Sequence, residues 1–226
     1  MINIGDNVEC VDKYDSYFGA TGVVVNIDRV GAVVLTNTGE TEVFARTQLK
    51  KIKTRGFEKI STIQCDIPIP QRGTSKSAGY DIYVIHPEVY KLVSTRNMSL
   101  SEAWELVPKV NGKATVIKPP EKASIVLPTG IKCYMQDNEY LLMTVRSSSG
   151  IKLGIRQSNP PSIIDADYYN NADNEGHIMF AIKNNFIEFD EPVLRLCQGV
   201  FSKYYIADDD NVTATRLSGI GSTNKC

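Results

Sequence analysis

Short apolar runs with period-two alternation recur along the chain, separated by turn-forming residues. Early runs fall at residues 7–11, 22–27, 32–36 and 41–44, punctuated by Gly19, Gly31 and Gly39. Runs rich in β-branched residues and bounded by glycine predict short strands joined by tight turns. After Ser61 the pattern returns at residues 63–67, 81–85, 124–126, 130–135, 140–145, 178–182 and 194–205. Only residues 100–107 follow a helical spacing, with Ser99 or Ser101 as N-cap and Leu100, Ala103, Trp104 and Leu106 at the apolar positions. Many short strands and a helical turn or two predict an all-β protein, a sandwich or barrel.

The charged run Lys50, Lys51, Lys53 and Arg55 divides this pattern into a small first module, residues 1–55, and a larger second domain, residues 61–226. A basic run can contact nucleic acid, but a solvated linker is the plainer explanation. Residues 1–55 hold seven Lys or Arg against seven Asp or Glu, so the module is neutral and charge gives no support to a nucleic-acid partner. The whole chain, 226 residues with a formal net charge of -1, offers no field for a polyanion or an anionic membrane either. Function must therefore lie in local sites. The five cysteines, Cys10, Cys65, Cys133, Cys197 and Cys226, are odd in number and contain no C-x-x-C pair. They read as reduced thiols rather than as a disulfide framework or zinc site. No basic-then-apolar leader and no apolar stretch of membrane-spanning length occur, so a cytoplasmic location is expected.

Several polar segments carry candidate chemistry. Asp81 follows Ser77, Ala78, Gly79 and Tyr80 in what is either a solvated turn or a functional carboxylate. Arg146 with Ser147, Ser148, Ser149 and Gly150 is an ordinary polar loop or a cationic fork beside hydroxyls, which suits phosphate oxygens. Asp165 and Asp167 follow the apolar pair Ile163 and Ile164; a strand-end carboxylate there is a turn residue or a buried general base. Arg195 and Gln198 lie inside an alternating run. The tail from Arg216 to Thr223 is glycine-rich, as a solvated end or as an arm able to close on a polyphosphate.

Taken in order, these segments resemble the five motifs of the trimeric all-β dUTPase family: Ala78 to Asp81, Arg146 to Ser148, Asn159 through Asp165 to Tyr168, Arg195 to Gln198, and Arg216 to Thr223. The spacing from Arg146 to Asp165, with Gly154, Ile155 and Asn159 inside it, keeps the family register. The first module, opening on Ile4, Gly5, Asp6, Asn7 and Val8 and continuing at Gly22 to Ile27, resembles an SH3-like or KOW β-barrel. The resemblance implies a jelly-roll-like subunit forming a homotrimer, with each site built from more than one chain, that converts dUTP to dUMP and diphosphate. It assigns Asp165 as the base that activates water. It gives Asn159 the uracil edge, Tyr168 the deoxyribose, and Arg146, Ser147, Ser148 and Gln198 the triphosphate. Arg216, Ser222 and Thr223 would arrive on the C-terminal arm, about residues 212–226, of a neighbouring subunit. Asp81 would act through water on Mg2+ held by the phosphates.

Three departures from the family pattern stand out. Ser162 takes a place usually held by glycine; the loop from Tyr169 to Gly176 is longer, as in phage-type members, which implies host cytoplasm for a phage-encoded protein; and Ile220 replaces the aromatic of the arm. Residues 86–122 are also longer than the family requires and form an insertion whose Trp104 either caps the barrel or anchors a partner. This leaves an alternative, a dUTPase-fold regulatory or binding protein acting through the first module or the insertion. The related dCTP deaminases share the fold, but the position of their catalytic glutamate is Ala181 here, which removes the proton shuttle.

Overall fold

The computed structural model describes residues 1–214 and Arg216. The chain divides into two compact units, Met1–Thr54 and Arg55–Cys226. In the first, strands β1 (Asn7–Cys10), β2 (Thr21–Ile27), β3 (Ala32–Thr36), β4 (Thr41–Phe44) and β5 (Leu49–Lys51) form one antiparallel sheet in the order β4-β3-β2-β1-β5. Alternation sends Val8, Cys10, Val24, Val34, Phe44 and Leu49 into its core. The long β1–β2 connection is pinned by Gln48, whose amide donates to Asp12 at 3.3 Å and to Asp15 at 2.9 Å.

The second unit holds β6 (Gly56–Lys59), β7 (Gln71–Arg72), β8 (Tyr80–Ile85), α1 (Pro87–Arg96), α2 (Leu100–Leu106), β9 (Ala114–Ile117), β10 (Ile125–Pro128) and β11 (Ile131–Tyr134). It continues with β12 (Glu139–Val145), α3 (Ser147–Leu153), β13 (Ser162–Asp165), β14 (Met179–Ile182), β15 (Phe186–Phe189) and β16 (Val193–Lys203). All pairings are antiparallel. The main sheet runs β13-β12-β16-β8-β7, and β10 with β14, β11 with β6, and β15 with β9 form two-stranded pairs. Ile82, Val84, Leu141, Met143, Phe180, Ile182, Phe189 and Leu196 fill the space between them. Strand is therefore the main regular structure of the protein, as its alternation predicts.

Besides α3, a helix where the sequence reading had a polar loop, two departures from that reading have local causes. Residues 63–67 form no strand: Pro68 and Pro70 withhold donors, and Lys59 Nζ takes the carbonyl of Cys65 at 2.9 Å, while Ile63 and Ile67 are still buried. The stretch after β8 contains two helices rather than one. Helix α1 starts at Pro87, where a missing N–H costs nothing, with the His86 ring accepting from the Glu88 N–H at 3.2 Å. It stops at Asn97, whose φ of 51° is left-handed. Helix α2 has a capping box between Ser99 and Glu102. Trp104 on α2 is 9% exposed and meets the buried His86 ring edge-on at 6.0 Å, so it belongs to the core and is no exposed anchor.

Candidate active site

Two polar clusters occupy different parts of the main sheet. The first gathers on Asp81, near the start of β8. Arg146 Nε meets Asp81 Oδ1 at 2.7 Å, and Arg195 Nη1 meets Asp81 Oδ2 at 3.3 Å. Arg146 Nη1 also donates to Ser148 Oγ at 3.4 Å, and Ser147 and Ser148 open α3 directly after it. Gln198 lies opposite Asp81 across one strand boundary and opposite Thr144 across the other. Gly79 is needed by closeness: a Cβ there would come 2.8 Å from Gln198 Oε1.

Strict alternation would put Arg195 and Gln198 on opposite faces of β16, three residues apart. A register shift between Arg195 and Cys197 prevents this. The extra residue lets Leu196 and Cys197 both be buried, and it turns Arg195 and Gln198 out to the same side. Burial pushes the Cys197 thiol well above the usual thiol range, so it serves packing. The bulge has no signature in the local sequence.

The second cluster gathers at the end of β13. Arg216 Nη2 meets Asp165 Oδ2 at 2.5 Å and its Nε meets Asp167 Oδ1 at 2.8 Å, with the guanidinium 5.8 Å from the centre of the Tyr168 ring. Asp137, Asp165, Ala166, Asp167, Tyr204 and Arg216 border a cleft of about 440 Å3. Asp165 is half exposed in the single chain, with 52% of its side chain open, rather than buried. Tyr168 is buried; its hydroxyl donates to the His177 carbonyl at 3.1 Å and accepts from Asn174 Nδ2 at 2.8 Å. The longer loop after it is locked from within, since Asn171 Nδ2 donates to the Tyr168 carbonyl at 2.8 Å and Asn171 Oδ1 accepts from the backbone of Asp173 and Asn174. Gly176 closes this loop at φ +79°, where a Cβ would lie 2.5 Å from the Tyr168 carbonyl oxygen. The buried His177 accepts the Gly130 N–H at Nε2 and stacks on Tyr90, and burial lowers its pKa to about 4.

Asn159 sits in the hairpin between α3 and β13, exposed, with its carbonyl accepting from Ser162 Oγ at 3.0 Å and from Gln157 Nε2 at 3.0 Å. Gln157 escaped the sequence reading. A lone glutamine between the polar Arg156 and Ser158 gives no hint that it is buried.

The clusters do not meet within one chain. Asp165 pairs with Tyr140 and Asp81 with Gln198, opposite Thr144. Thus three strand spacings and four residues along β12 separate them, roughly 14 Å across and 13 Å along. Their charges are opposite. Two arginines meet one aspartate in the first cluster; in the second, two aspartates meet one arginine and a third, Asp137, borders the same cleft. Among the described residues no group of three or more His, Cys, Asp or Glu could hold a metal ion. Asp81 directs both oxygens at arginines, so it presents no direct cation ligand. Ile220, Ser222 and Thr223 lie outside the described residues. Among the described residues no helix is long and apolar enough to cross a membrane.

No family model matches the chain. It is 38% identical over 179 residues to a deoxyuridine 5'-triphosphate nucleotidohydrolase of Lactococcus lactis subsp. lactis (strain IL1403), covering 76% of this chain and 99% of the relative. A dUTPase crystal structure from Streptococcus mutans is similar at 31% identity and a TM-score of 0.50, over 68% of this chain and 98% of that one. A dUTPase from phage phi11 of S. aureus aligns with 72% of this chain and 97% of its own at 16% identity and a TM-score of 0.43. With that identity over nearly the full length of the Lactococcus protein, the chain belongs to the deoxyuridine 5'-triphosphate nucleotidohydrolase family.

Proposed function

We propose that this protein hydrolyses dUTP to dUMP and diphosphate as a homotrimer, with each site assembled from the basic cluster of one subunit and the acidic cluster of another. The observation that carries this reading is the separation of the two clusters in a single chain, one suited to a polyphosphate and the other to activating water. Exposed apolar side chains, among them Ile163 beside Asp165, favour burial between subunits. Three copies of the 25.0 kDa chain give an assembly of about 75 kDa.

In this mechanism Arg146, Ser147, Ser148 and Gln198 hold the triphosphate. Asp81 keeps the Arg146 fork aimed, and a guanidinium held in advance stabilises developing phosphate charge without reorganising during reaction. Asp165 accepts a proton from the attacking water; its Oδ1 remains open when Arg216 occupies Oδ2. The water attacks phosphorus, the bond to the departing diphosphate breaks, and dUMP remains. Tyr168 supports the deoxyribose with its ring, which is fixed because its hydroxyl is already tied to His177 and Asn174. Asn159 reads the uracil edge. In the single chain Arg216 lies on Asp165 and Asp167 of its own subunit; in the proposed assembly Arg216, Ser222 and Thr223 leave that position and close over the substrate from the C-terminal arm of a neighbouring subunit, with Ile220 against the base.

Mg2+ fits this site as a companion of the triphosphate, since it retains water and takes phosphate oxygens in preference to an all-protein cage. Asp81 would reach it only through water; bound there, the ion would supply charge neutralisation. The test of the whole reading is diphosphate release over a panel of deoxynucleoside triphosphates with Mg2+. Activity confined to dUTP supports it; ammonia release from dCTP, or no turnover of dUTP, overturns it.

A further inference from the structure

Gln157 is buried, 8% exposed, beneath the hairpin that carries Asn159. Its amide nitrogen lies 3.1 Å from the Met143 carbonyl on β12, 3.0 Å from the Asn159 carbonyl and 2.8 Å from Ser162 Oγ. One amide nitrogen has two hydrogens for these three acceptors, so the contacts are shared. Ser162 Oγ closes the circuit by donating to the same Asn159 carbonyl at 3.0 Å. Among the described residues Gln157 Oε1 is buried with no partner. A buried acceptor without a donor is destabilising, and an apolar side chain of similar size would avoid it. Gln157 is therefore not explained by packing alone.

Resting on the reading of Asn159 above, we propose that Gln157 and Ser162 form a positioning pair that sets base recognition. Met143 faces Ser162 across the β12–β13 boundary, so Gln157 ties the hairpin to the sheet at the level where β13 begins. The Asn159 carbonyl has two lone pairs, and both are taken from within by Gln157 and Ser162. The base must then be read by the Asn159 side chain and by other backbone groups of the hairpin. The serine that stands in the usual glycine place and the glutamine five residues before it are one device: each supplies the other's hydrogen-bond partner. Neither touches the phosphates or Asp165, so the pair acts on recognition rather than on the chemical step.

The test is steady-state kinetics and thermal unfolding of Gln157→Leu, Ser162→Gly and the double variant, on the full-length protein. Gln157→Leu is expected to raise KM for dUTP about tenfold with kcat within about twofold, the pattern of lost binding rather than lost chemistry. Its preference for dUTP over dCTP and dTTP should fall in parallel, while its melting temperature falls by only a few degrees, since the donors lost to the Met143 and Asn159 carbonyls are partly offset by removal of the unpartnered Oε1. Ser162→Gly should change KM by less than about threefold, since two donors then serve two carbonyls. The double variant should be no worse than Gln157→Leu, because the effects share one circuit. Unchanged KM and discrimination in Gln157→Leu overturn the proposal, as do additive effects in the double variant or a fall in kcat and melting temperature with KM untouched. A wild-type protein inactive on dUTP overturns the functional reading, and this inference with it; an active wild type with an indifferent Gln157→Leu overturns the inference alone.

Discussion

The basic cluster around Asp81 and the acidic cluster around Asp165 lie on one sheet yet are held in different ways. In the first, a carboxylate with 17% of its side chain exposed fixes two guanidiniums whose own positions come from the strand framework: Arg146 at the end of β12 and Arg195 beside the β16 bulge. In the second, the aspartates stand on a strand end and a short turn, half exposed, and their cation comes from the far end of the chain. On the proposed mechanism, the charges that bind a polyanion are prepared in advance, whereas the carboxylate that activates water stays open until a partner covers it. One chain would then present both halves of the reaction without joining them.

The sharpest way to break this comparison is to inactivate each cluster separately and mix the products. Asp165→Asn keeps the shape but cannot accept a proton, and should lower kcat by about 10²–10⁴-fold. Arg146→Ala, which removes the phosphate fork, should also leave little activity. When the two inactive proteins are unfolded together and refolded as mixed trimers, about one quarter of sites should combine two intact clusters and regain turnover. No recovery in trimers shown to be mixed would mean that each site is made within one chain, contrary to the separation across the sheet.

The acidic cluster rests on a buried histidine, which gives it a pH limit the basic cluster lacks. His177 holds the Tyr168 hydroxyl through its carbonyl, and its ring has a pKa of about 4 through burial. The unfolded chain takes up this proton near the ordinary 6.5, so the stabilisation is complete above that value and is lost as pH falls toward 4, by about 3 kcal/mol. Thermal melts of wild type and His177→Gln between pH 7 and 4 should therefore converge or cross, the wild type falling more steeply. His86, lowered by the same cause, contributes equally to both proteins and drops out of the difference. Parallel curves would show that the His177 ring is not the acid-sensitive support.

A third difference concerns where the second unit begins. Arg55 forms a forked contact with Glu139 at the head of β12, with Nη2 to Oε1 at 2.7 Å and Nε to Oε2 at 3.0 Å. Glu139 is 4% exposed, and the Arg55 bonds hold its carboxyl below the usual range. Deleting residues 1–54 should leave assembly and turnover intact. Removing Arg55 as well, or Arg55→Ala in the full chain, strands a buried carboxylate and should cost about 2–3 kcal/mol, below the usual loss because the arginine is half exposed. Urea unfolding of the two truncations decides this; equal midpoints would make the pair dispensable.

What the sequence allowed one to read follows from how each feature is encoded. Strands with a buried and an open face alternate, so β8, β12, β14 and β16 were visible. Asp81, Arg146, Asp165 and Tyr168 stood out by residue type and order, and the structure gathers the first two in one cluster and the last two in another. Helix α1 carried signals that alternation alone overlooks: Pro87 at the first turn, Val89 and Val93 one turn apart, Arg96 at the end and Asn97 beyond it. The β16 bulge was not legible, since which residue of Leu196 and Cys197 is extra depends on the partner strand. Gln157 was not legible either, because its burial comes from a hairpin folding over it rather than from its own neighbours.

The smallest expected effect concerns Ile220, where the arm departs from the aromatic found in the family. On the proposed arrangement an aromatic there would stack on the uracil ring, a contact worth roughly 0.5–1.5 kcal/mol beyond apolar burial. Isoleucine covers the base by dispersion but has no flat face, so the arm should close less firmly while Arg216 still reaches the site. Ile220→Phe should therefore raise kcat/KM for dUTP by up to about tenfold, one decade per 1.4 kcal/mol. The gain should vanish in a background of Arg216→Ala, because an arm that has lost its charged anchor cannot bring the new ring to the base. Steady-state kinetics of the four proteins separate these outcomes. A full gain without Arg216 would mean that the ring binds independently of the arm's charge, and that Arg216 plays no part in closing the site.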